Sequence, residues 1–334
     1  MVKEISDNDR KKLNFLGLLG IFFLGFLVYS NILHAPFVFD DYTSVLDNET
    51  VKNLKTALSN AANKRGVTFL SFALNYAAGG DKPFGYHLVN NLIHVCNALL
   101  VYWLVLLTFK TPAMNNAGLS KKFIAFSSAF IFVAHPIQTQ AVTYVAQRFT
   151  SMATFFYLLS LLMYVKSRLI TIEKPGERDL RGHATTFALL GISVVSAFFA
   201  MKSKEIAFTL PVIAILYEFS FLSEKRSPKR KGWQLKRFFL LLPIFLTILI
   251  IPLGMMDFTK PVETVAEHVE AQLKDTLNIS RTDYLLTEFR VIVTYLRLLV
   301  FPVNQSIDYT YPVFHSFMQF QVFLSFLLLV SIFS

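Results

Sequence analysis

Cysteine is almost missing from this chain. Cys96 is the single one in 334 residues, which excludes an internal disulfide framework and any multi-cysteine zinc site. Charge is scarce too. Charged residues make up 16% of the sequence, against about 25% in ordinary soluble domains. With 54% hydrophobic residues and 35 Phe, the chain has more apolar surface than a soluble core could bury. Glycine and proline, 13 and 12 in number, are too few for a collagen-like or low-complexity chain. No internal repeat of 20–50 residues is visible, so a solenoid is excluded as well. What is present is a series of long apolar runs separated by short basic stretches, the pattern of an all-α, polytopic membrane protein. Cys96 lies inside one such run and reads as a small buried hydrophobe.

At about 20 residues per crossing, eight membrane helices are expected. They lie near Leu13–Leu33, Tyr86–Phe109, Phe123–Pro136, Phe149–Val165, Ala184–Met201, Ile206–Leu222, Phe238–Gly254 and Phe314–Phe333. The third is short and needs Lys121 and Lys122 to snorkel. The first run has no Ala-x-Ala cleavage site and reads as a retained helix behind a cytoplasmic N-terminus at 1–12, not as a signal peptide.

The segments between the runs differ in charge. The N-terminus, 110–122, 166–183 and 223–237 together hold 19 Lys/Arg against 7 Asp/Glu. The alternate set (34–85, 135–148, 202–205 and 255–313) holds 13 against 14. Positive charge resists translocation, so the first set is expected to be cytoplasmic. The net charge of +10 is then accounted for by basic loops lying against anionic membrane lipids, with no nucleic acid as partner. Two long external loops follow, at 34–85 and 255–313. In the second, apolar residues of Asp283–Phe301 recur at spacings of three and four, interrupted by Glu288, Arg290 and Arg297, which suits an amphipathic helix in the interface.

Candidate chemistry gathers on the external side. Asp40 and Asp41 sit just after the first run, framed by Phe37, Phe39 and Tyr42. Two adjacent carboxylates at a membrane surface are partly desolvated and repel one another, which suits one of them to accept a proton. A cap or a solvated loop would use the same residues. Arg65, Arg148, and Lys204 with Glu205 fall on the same side, and ionisable groups at a membrane boundary usually have a partner or a task. Such cations beside a carboxylate suit a phosphate leaving group next to a general base. Mutual pairing, Asp40 or Asp41 with Arg65 and Lys204 with Glu205, is the structural alternative. His87, Asn90, Asn91, His94 and Asn97 share one side of the second helix, a stripe that most often joins helices. His87, at the external end, is the member placed to reach a polar cavity, and His135 ends the third helix on that side. A metal held by these two histidines and an Asp has no supporting ligand spacing. Around Asp308 and Tyr309, aromatic and polar residues mix in a way that suits sugar rings or an interfacial aromatic belt. Glu218 reads as interfacial.

Several stretches carry a family resemblance by their order. They are Phe37–Asp41, Arg65-Gly66-Val67-Thr68-Phe69-Leu70, Pro83-Phe84-Gly85-Tyr86-His87 through His94, Ala134-His135-Pro136-Ile137-Gln138, Gln147-Arg148 and Lys204-Glu205-Ile206. From about Pro36 to Pro312 the chain resembles the tetratricopeptide-repeat-linked transmembrane O-mannosyltransferases and their bacterial relatives, glycosyltransferases of the GT-C class. The resemblance implies a helical membrane fold and a polyprenyl-phosphate sugar as donor. It makes Asp40 the catalytic base with Asp41 as the second acidic residue, and Arg65, Arg148 and Lys204 the cations of the donor site. Apart from the resemblance, the residues' own chemistry and external placement make His87, His135, Glu205, Asp308 and Tyr309 the candidates to support or bind the substrates. The family often has Arg-Pro-Leu where this chain has Arg65-Gly66-Val67. It also commonly continues into further helices and a soluble repeat domain, which is expected to be absent from a chain that stops at Ser334 and so reads as a fragment or a minimal form.

The expected activity is transfer of the sugar to a hydroxyl, most plausibly of Ser or Thr in a protein acceptor, by a single inverting displacement. No cofactor is required, and a divalent metal finds no support. A bacterial inner membrane, with the site facing the periplasm, is preferred to the endoplasmic reticulum. A flippase for a lipid-linked saccharide and a non-catalytic assembly subunit are the rival readings.

Overall fold

A computed structural model describes residues 7–118, 120–173, 180–222, 242, 244–249, 279–307 and 309–333. These residues form helices and loops, with no strand among them. In chain order the helices are α1 (Asp7–Val28), α2 (Glu49–Lys52), α3 (Leu54–Ser59), α4 (Gly66–Gly79), α5 (Pro83–Thr108) and α6 (Lys121–Ala134). Then come α7 (Thr139–Thr143), α8 (Arg148–Glu173), α9 (Leu180–Ser203), α10 (Leu210–Tyr217), α11 (Arg281–Val300) and α12 (Phe320–Phe333). The chain divides into two compact units, Met1–Met255 and Met256–Ser334.

Five segments of the first unit are long and apolar enough to cross a membrane: Lys11–Val28, Pro83–Thr108, Val145–Ile172, Gly182–Ser203 and Glu205–Leu222. Five of the eight expected spans are thus found among the described residues. α6 has only 14 residues, about 21 Å of helix at 1.5 Å per residue, short of a full crossing. α12 starts at Phe320 and not at Phe314, because Phe314 turns inward onto Leu286 and Val322. Most of Phe238–Gly254 lies outside the described residues.

Packing follows from where small residues fall. Gly25 of α1 lets the helix approach α5 and α6 so closely that a Cβ there would lie 2.5 Å from Val95 and 2.9 Å from Val133. Around that contact Ile21, Val95, Ala98, Tyr102, Ala125, Ala129 and Val133 are buried together. α8 and α9 are joined by a reciprocal pair, Ser160 Oγ donating to Ser193 O at 2.7 Å and Ser193 Oγ to Ser160 O at 2.8 Å, the kind of contact that holds helices in lipid. Tyr164, Val165, Ala197, Leu210 and Ala214 complete the core of α8, α9 and α10. Cys96 departs from its reading: it faces out of the bundle, exposed.

The loop at 29–82 is itself folded. The Asn48 and Asn53 side chains accept from Thr50 N and Thr56 N at 2.9 and 3.1 Å, capping α2 and α3. Pro83 opens α5, where a missing N–H costs nothing. Phe37, Val45, Val51, Phe72, Tyr86, Val145 and Phe149 form the core that seats this loop on the ends of α4, α5 and α8.

In the second unit, α11 confirms a helix where the three-and-four spacing placed one. Leu286, Thr294 and Leu298 are buried, while Leu285, Ile292 and Leu299 form an exposed aliphatic stripe. The α11–α12 pair is closed by Phe314 N donating to Thr287 Oγ1 at 3.1 Å and by Phe289 and Phe317 packing on Phe326.

Candidate functional site

The residues before and at the start of α8, Tyr144 to Thr150, gather side chains from three distant parts of the first unit. Asp41 is 1% exposed. Its Oδ1 accepts from Ala146 N at 2.7 Å and its Oδ2 from Val38 N at 3.0 Å. Burial holds the Asp41 carboxyl above the usual carboxylate range. The backbone amides of Val38, Ala146 and Val145 pull it back, and the neighbouring Asp40 charge adds a little. Asp40, by contrast, is exposed. Its backbone N–H donates to the Tyr144 hydroxyl at 2.8 Å. The two acids are therefore separated by environment, one built into the loop and the other presented.

The cations lie one turn further along α8. The Lys204 ammonium donates to Thr150 Oγ1 at 2.7 Å, and Thr150 in turn donates to Gln147 Oε1 at 2.7 Å. Burial pushes the Lys204 ammonium below its ordinary value, the Arg65 charge adds to this, and Glu205 offsets part of it. Arg65 packs over the Phe149 ring at 5.4 Å and holds Glu205 with its Nε at 3.2 Å and Nη2 at 3.0 Å. Lys64 reaches the same carboxylate at 3.3 Å. The sequence alternatives for pairing are corrected on both counts. Arg65 takes Glu205 and not an Asp, while Lys204 takes a hydroxyl.

Arg65 has φ of 58°, a left-handed conformation that costs a non-glycine residue about 1 kcal/mol or more. The following Gly66 could carry no side chain, since a Cβ would lie 2.2 Å from Asn60 O and 2.6 Å from Ala61 O. Gly66 is thus tied to a close backbone crossing beside Arg65.

Arg148 differs from its expected role. It is completely buried. Its Nε donates to Asn90 Oδ1 at 2.7 Å, Nη1 to Asn75 Oδ1 at 2.6 Å and Nη2 to Tyr86 O at 2.9 Å, with Phe72 stacked at 4.5 Å. This guanidinium fastens α4, α5 and α8 together and is not offered to a phosphate. His87 is buried, with Nε2 on Ala35 O at 3.1 Å. His135 Nδ1 accepts from Ile137 N at 3.2 Å, so the two histidines serve turns of the backbone. Among the described residues no group of three or more His, Cys, Asp or Glu converges as a metal site would require. Glu218 is 1% exposed and paired with Arg168. Tyr309 lies in the second unit, where its hydroxyl accepts from Ser306 N at 3.0 Å and donates to Asn304 O at 3.2 Å. Asp308 lies outside the described residues.

Tyr144, Thr150 and Lys64 are the members that sequence reasoning missed. Each is unremarkable alone, and only Lys64, beside Arg65, carried a local signal.

Comparison with known proteins finds relatives of the kind that the ordered motifs resemble. The chain is similar to protein O-mannosyl-transferase Tmtc1 of Drosophila melanogaster, 34% identical over 163 residues, 44% of this chain and 18% of that protein. It is 32% identical over 158 residues to protein O-mannosyl-transferase TMTC2 of Mus musculus, 43% of this chain and 18% of the relative. With protein O-mannosyl-transferase Tmtc3 of Drosophila melanogaster the likeness is 26% over 249 residues, 67% of this chain and 26% of the relative. The matched stretch thus spans about a fifth to a quarter of the length of these curated relatives. No family model matches the chain, and no solved structure does.

Proposed function

We propose that this chain is a membrane glycosyltransferase that moves a sugar from a polyprenyl-phosphate carrier to a hydroxyl, of Ser or Thr in a protein acceptor, on the non-cytoplasmic side. The observation that carries the reading is that the stretch Tyr144–Thr150 holds both the exposed Asp40, through Tyr144, and the Lys64, Arg65, Lys204 and Glu205 cluster, through Phe149 and Thr150. The names of the relatives support a protein acceptor and a sugar donor.

The chemistry asks for both halves. Asp40 takes the proton of the acceptor hydroxyl as its oxygen attacks the anomeric carbon. The bond from that carbon to the phosphate oxygen breaks, and its electron pair leaves with the lipid phosphate. One displacement inverts the anomeric centre. The donor is a phosphodiester with a single negative charge, and the departing monoester gains a second. Three cations and the Glu205 carboxylate leave a net charge of +2, which matches the leaving group better than the donor. Such a cluster favours the transition state over the bound substrate. Asp41, buried and held by two amides, orients Asp40 without taking the proton itself. Basic loops on the opposite side give an orientation with the site outside, the periplasmic face of a bacterial inner membrane being the reading we prefer. The lipid tail then remains in hydrocarbon while its phosphate-sugar meets a water-borne acceptor.

The test is transfer from labelled polyprenyl-phosphate mannose by the full chain in nanodiscs. Asp40→Asn should insert and fold like the parent yet lose transfer by about 100-fold or more. Wild-type transfer by that variant would remove Asp40 from the mechanism, and no transfer by the parent from any polyprenyl-phosphate sugar would overturn the reading.

A further inference from the structure

We propose that Thr150 is a positioning residue that keeps the Lys204 ammonium away from the adjacent Glu205 carboxylate and holds it for the donor phosphate; the proposal rests on the reading of this cluster as the donor site. Lys204 and Glu205 are consecutive, and an ion pair between them would need no help from the fold. Yet the ammonium reaches Thr150 Oγ1, 54 residues away, at 2.7 Å. Glu205 is taken instead by Arg65, through Nε at 3.2 Å and Nη2 at 3.0 Å, and by Lys64 at 3.3 Å. Among the described residues no carboxylate lies within ion-pair distance of Lys204.

The backbone separates the two neighbours. Lys204 is extended, with φ of −155° and ψ of 144°, and successive side chains of an extended chain point to opposite sides. Its N–H donates to Ala200 O at 3.1 Å and its carbonyl accepts from Ala207 N at 3.2 Å, so the residue is fixed between the end of α9 and the turn that follows. The group that meets it is fixed too. Thr150 has one hydroxyl proton and directs it to Gln147 Oε1 at 2.7 Å, which leaves only lone pairs for the ammonium. Gln147 and Thr150 are three residues apart across the start of α8, a spacing that brings side chains together. The Gln147 backbone N–H donates to Tyr144 O at 3.0 Å and its carbonyl accepts from Ser151 Oγ at 3.4 Å. The chain Gln147–Thr150–Lys204 therefore starts from an anchored backbone.

A hydroxyl is the partner this task needs. It fixes the ammonium through one N–H and leaves two for the oxygens of a ligand. It also solvates the charge without cancelling it, whereas Glu205 would cancel it. Burial and the Arg65 charge both work against the protonated amine, and an arriving phosphate offsets both. The ammonium is thus held where it gains most from an anion.

Thr150→Val, made in the full chain in nanodiscs of zwitterionic lipid, replaces the hydroxyl by a methyl group of similar size. The probe is polyprenyl phosphate, and the readout is protection of Lys204 from an amine-acylating reagent, located by mass spectrometry. The apparent Kd read from that protection should rise about 10-fold in Thr150→Val and stay within about twofold of the parent in Thr150→Ser, which keeps the hydroxyl. In the transfer assay kcat/KM for the donor should fall by a similar factor, with the acceptor KM within about twofold. Equal affinity in Thr150→Val and the parent overturns the positioning role, as does a loss in Thr150→Ser as large as that in Thr150→Val. Polyprenyl phosphate that leaves Lys204 unprotected in the parent overturns the proposal whether or not sugar is transferred. An affinity that depends on Thr150 in a chain that transfers no sugar upholds the positioning role and overturns the enzymatic reading instead. If Thr150→Val fails to fold, Gln147→Leu takes the acceptor from the Thr150 proton and should weaken the affinity by about threefold, with no change again overturning the idea.

Discussion

Helix α8 carries a buried arginine near each end, Arg148 and Arg168, at 0% and 2% exposure, about 30 Å apart along the helix axis at 1.5 Å per residue. Their partners are of different kinds. Arg168 meets a carboxylate: Nη2 to Glu218 Oε1 at 2.6 Å and Nε to Oε2 at 2.9 Å, with Tyr164 Oη donating to Oε2 at 2.7 Å. Arg148 meets neutral acceptors, the amides of Asn75 and Asn90 and the carbonyls of Tyr86 and Ser71. At one end the charge is cancelled within the protein. At the other it is solvated by dipoles and keeps its field, beside the loop that carries Asp40 and Asp41. A closed ion pair is sufficient for joining α8 to the turn that begins at Glu218, after α10. A cation left unneutralised suits an end of the bundle where anionic groups are proposed to react.

Breaking the closed pair should have the largest effect. Glu218→Ala leaves a guanidinium buried without its anion and should lower stability by about 3–5 kcal/mol, read as denaturant unfolding in a fixed detergent. Replacing both partners, Arg168→Met with Glu218→Leu, should recover most of the loss. If the double variant is as unstable as the single one, the pair contributes more than mutual neutralisation and the contrast with Arg148 weakens.

At the other end, Arg148→Lys keeps the charge and loses the fork. An ammonium cannot reach Asn75, Asn90 and the Tyr86 carbonyl from one position, so at least one buried acceptor loses its donor. A loss of about 2 kcal/mol is expected. Parental stability in this variant would mean that the charge alone, and not its geometry, holds α4 and α5 against α8.

The polar stripe of α5 sharpens the comparison from a third side. Asn90 and Asn97 bond across to α8 or the segment before it, but neither amide atom of Asn91 has a hydrogen-bond partner among the described residues, although its side chain is buried. Removing that polarity with Asn91→Leu should raise stability by about 1–2 kcal/mol. A destabilised variant would show that the amide is bonded and belongs to the helix-joining set.

The apolar runs made most of the helical frame readable, because lipid leaves a backbone few options. Their ends were less readable: α8 runs on to Glu173, past the Val165 expected of it, since Arg168 continues inward to meet Glu218 instead of marking a boundary. The candidate site was legible as a list but not as an arrangement. Asp40, Arg65 and Lys204 stood out because charge is rare in this chain. That Arg148 would be enclosed, and that Arg65 would choose Glu205, depended on contacts between residues 58 to 140 positions apart. Tyr144 and Thr150 gave no signal because one tyrosine or threonine among many has no distinguishing pattern.

The smallest of the expected effects falls on Lys204, and it separates a group kept for function from one kept for stability. Its ammonium is half-buried and donates to a hydroxyl, while Glu205 is occupied by Arg65 and Lys64. Burial first, and Arg65 second, hold it below its ordinary value of 10.5. Between the lowered folded value and 10.5 the unfolded chain binds more protons than the folded one, so stability should rise as pH rises through that window. Below the window both states are protonated, and the cost of enclosing the charge is present in full. Lys204→Met should therefore unfold at a slightly higher temperature than the parent at neutral pH, lack the parent's gain in stability toward alkaline pH, and transfer less sugar. Melting curves at several pH values between neutral and 10.5, taken alongside the transfer assay, check all three. A parent that instead loses stability relative to Lys204→Met across the window would place a carboxylate against the ammonium, and Lys204 would then belong with Arg168 as a neutralised cation instead of one held open for phosphate.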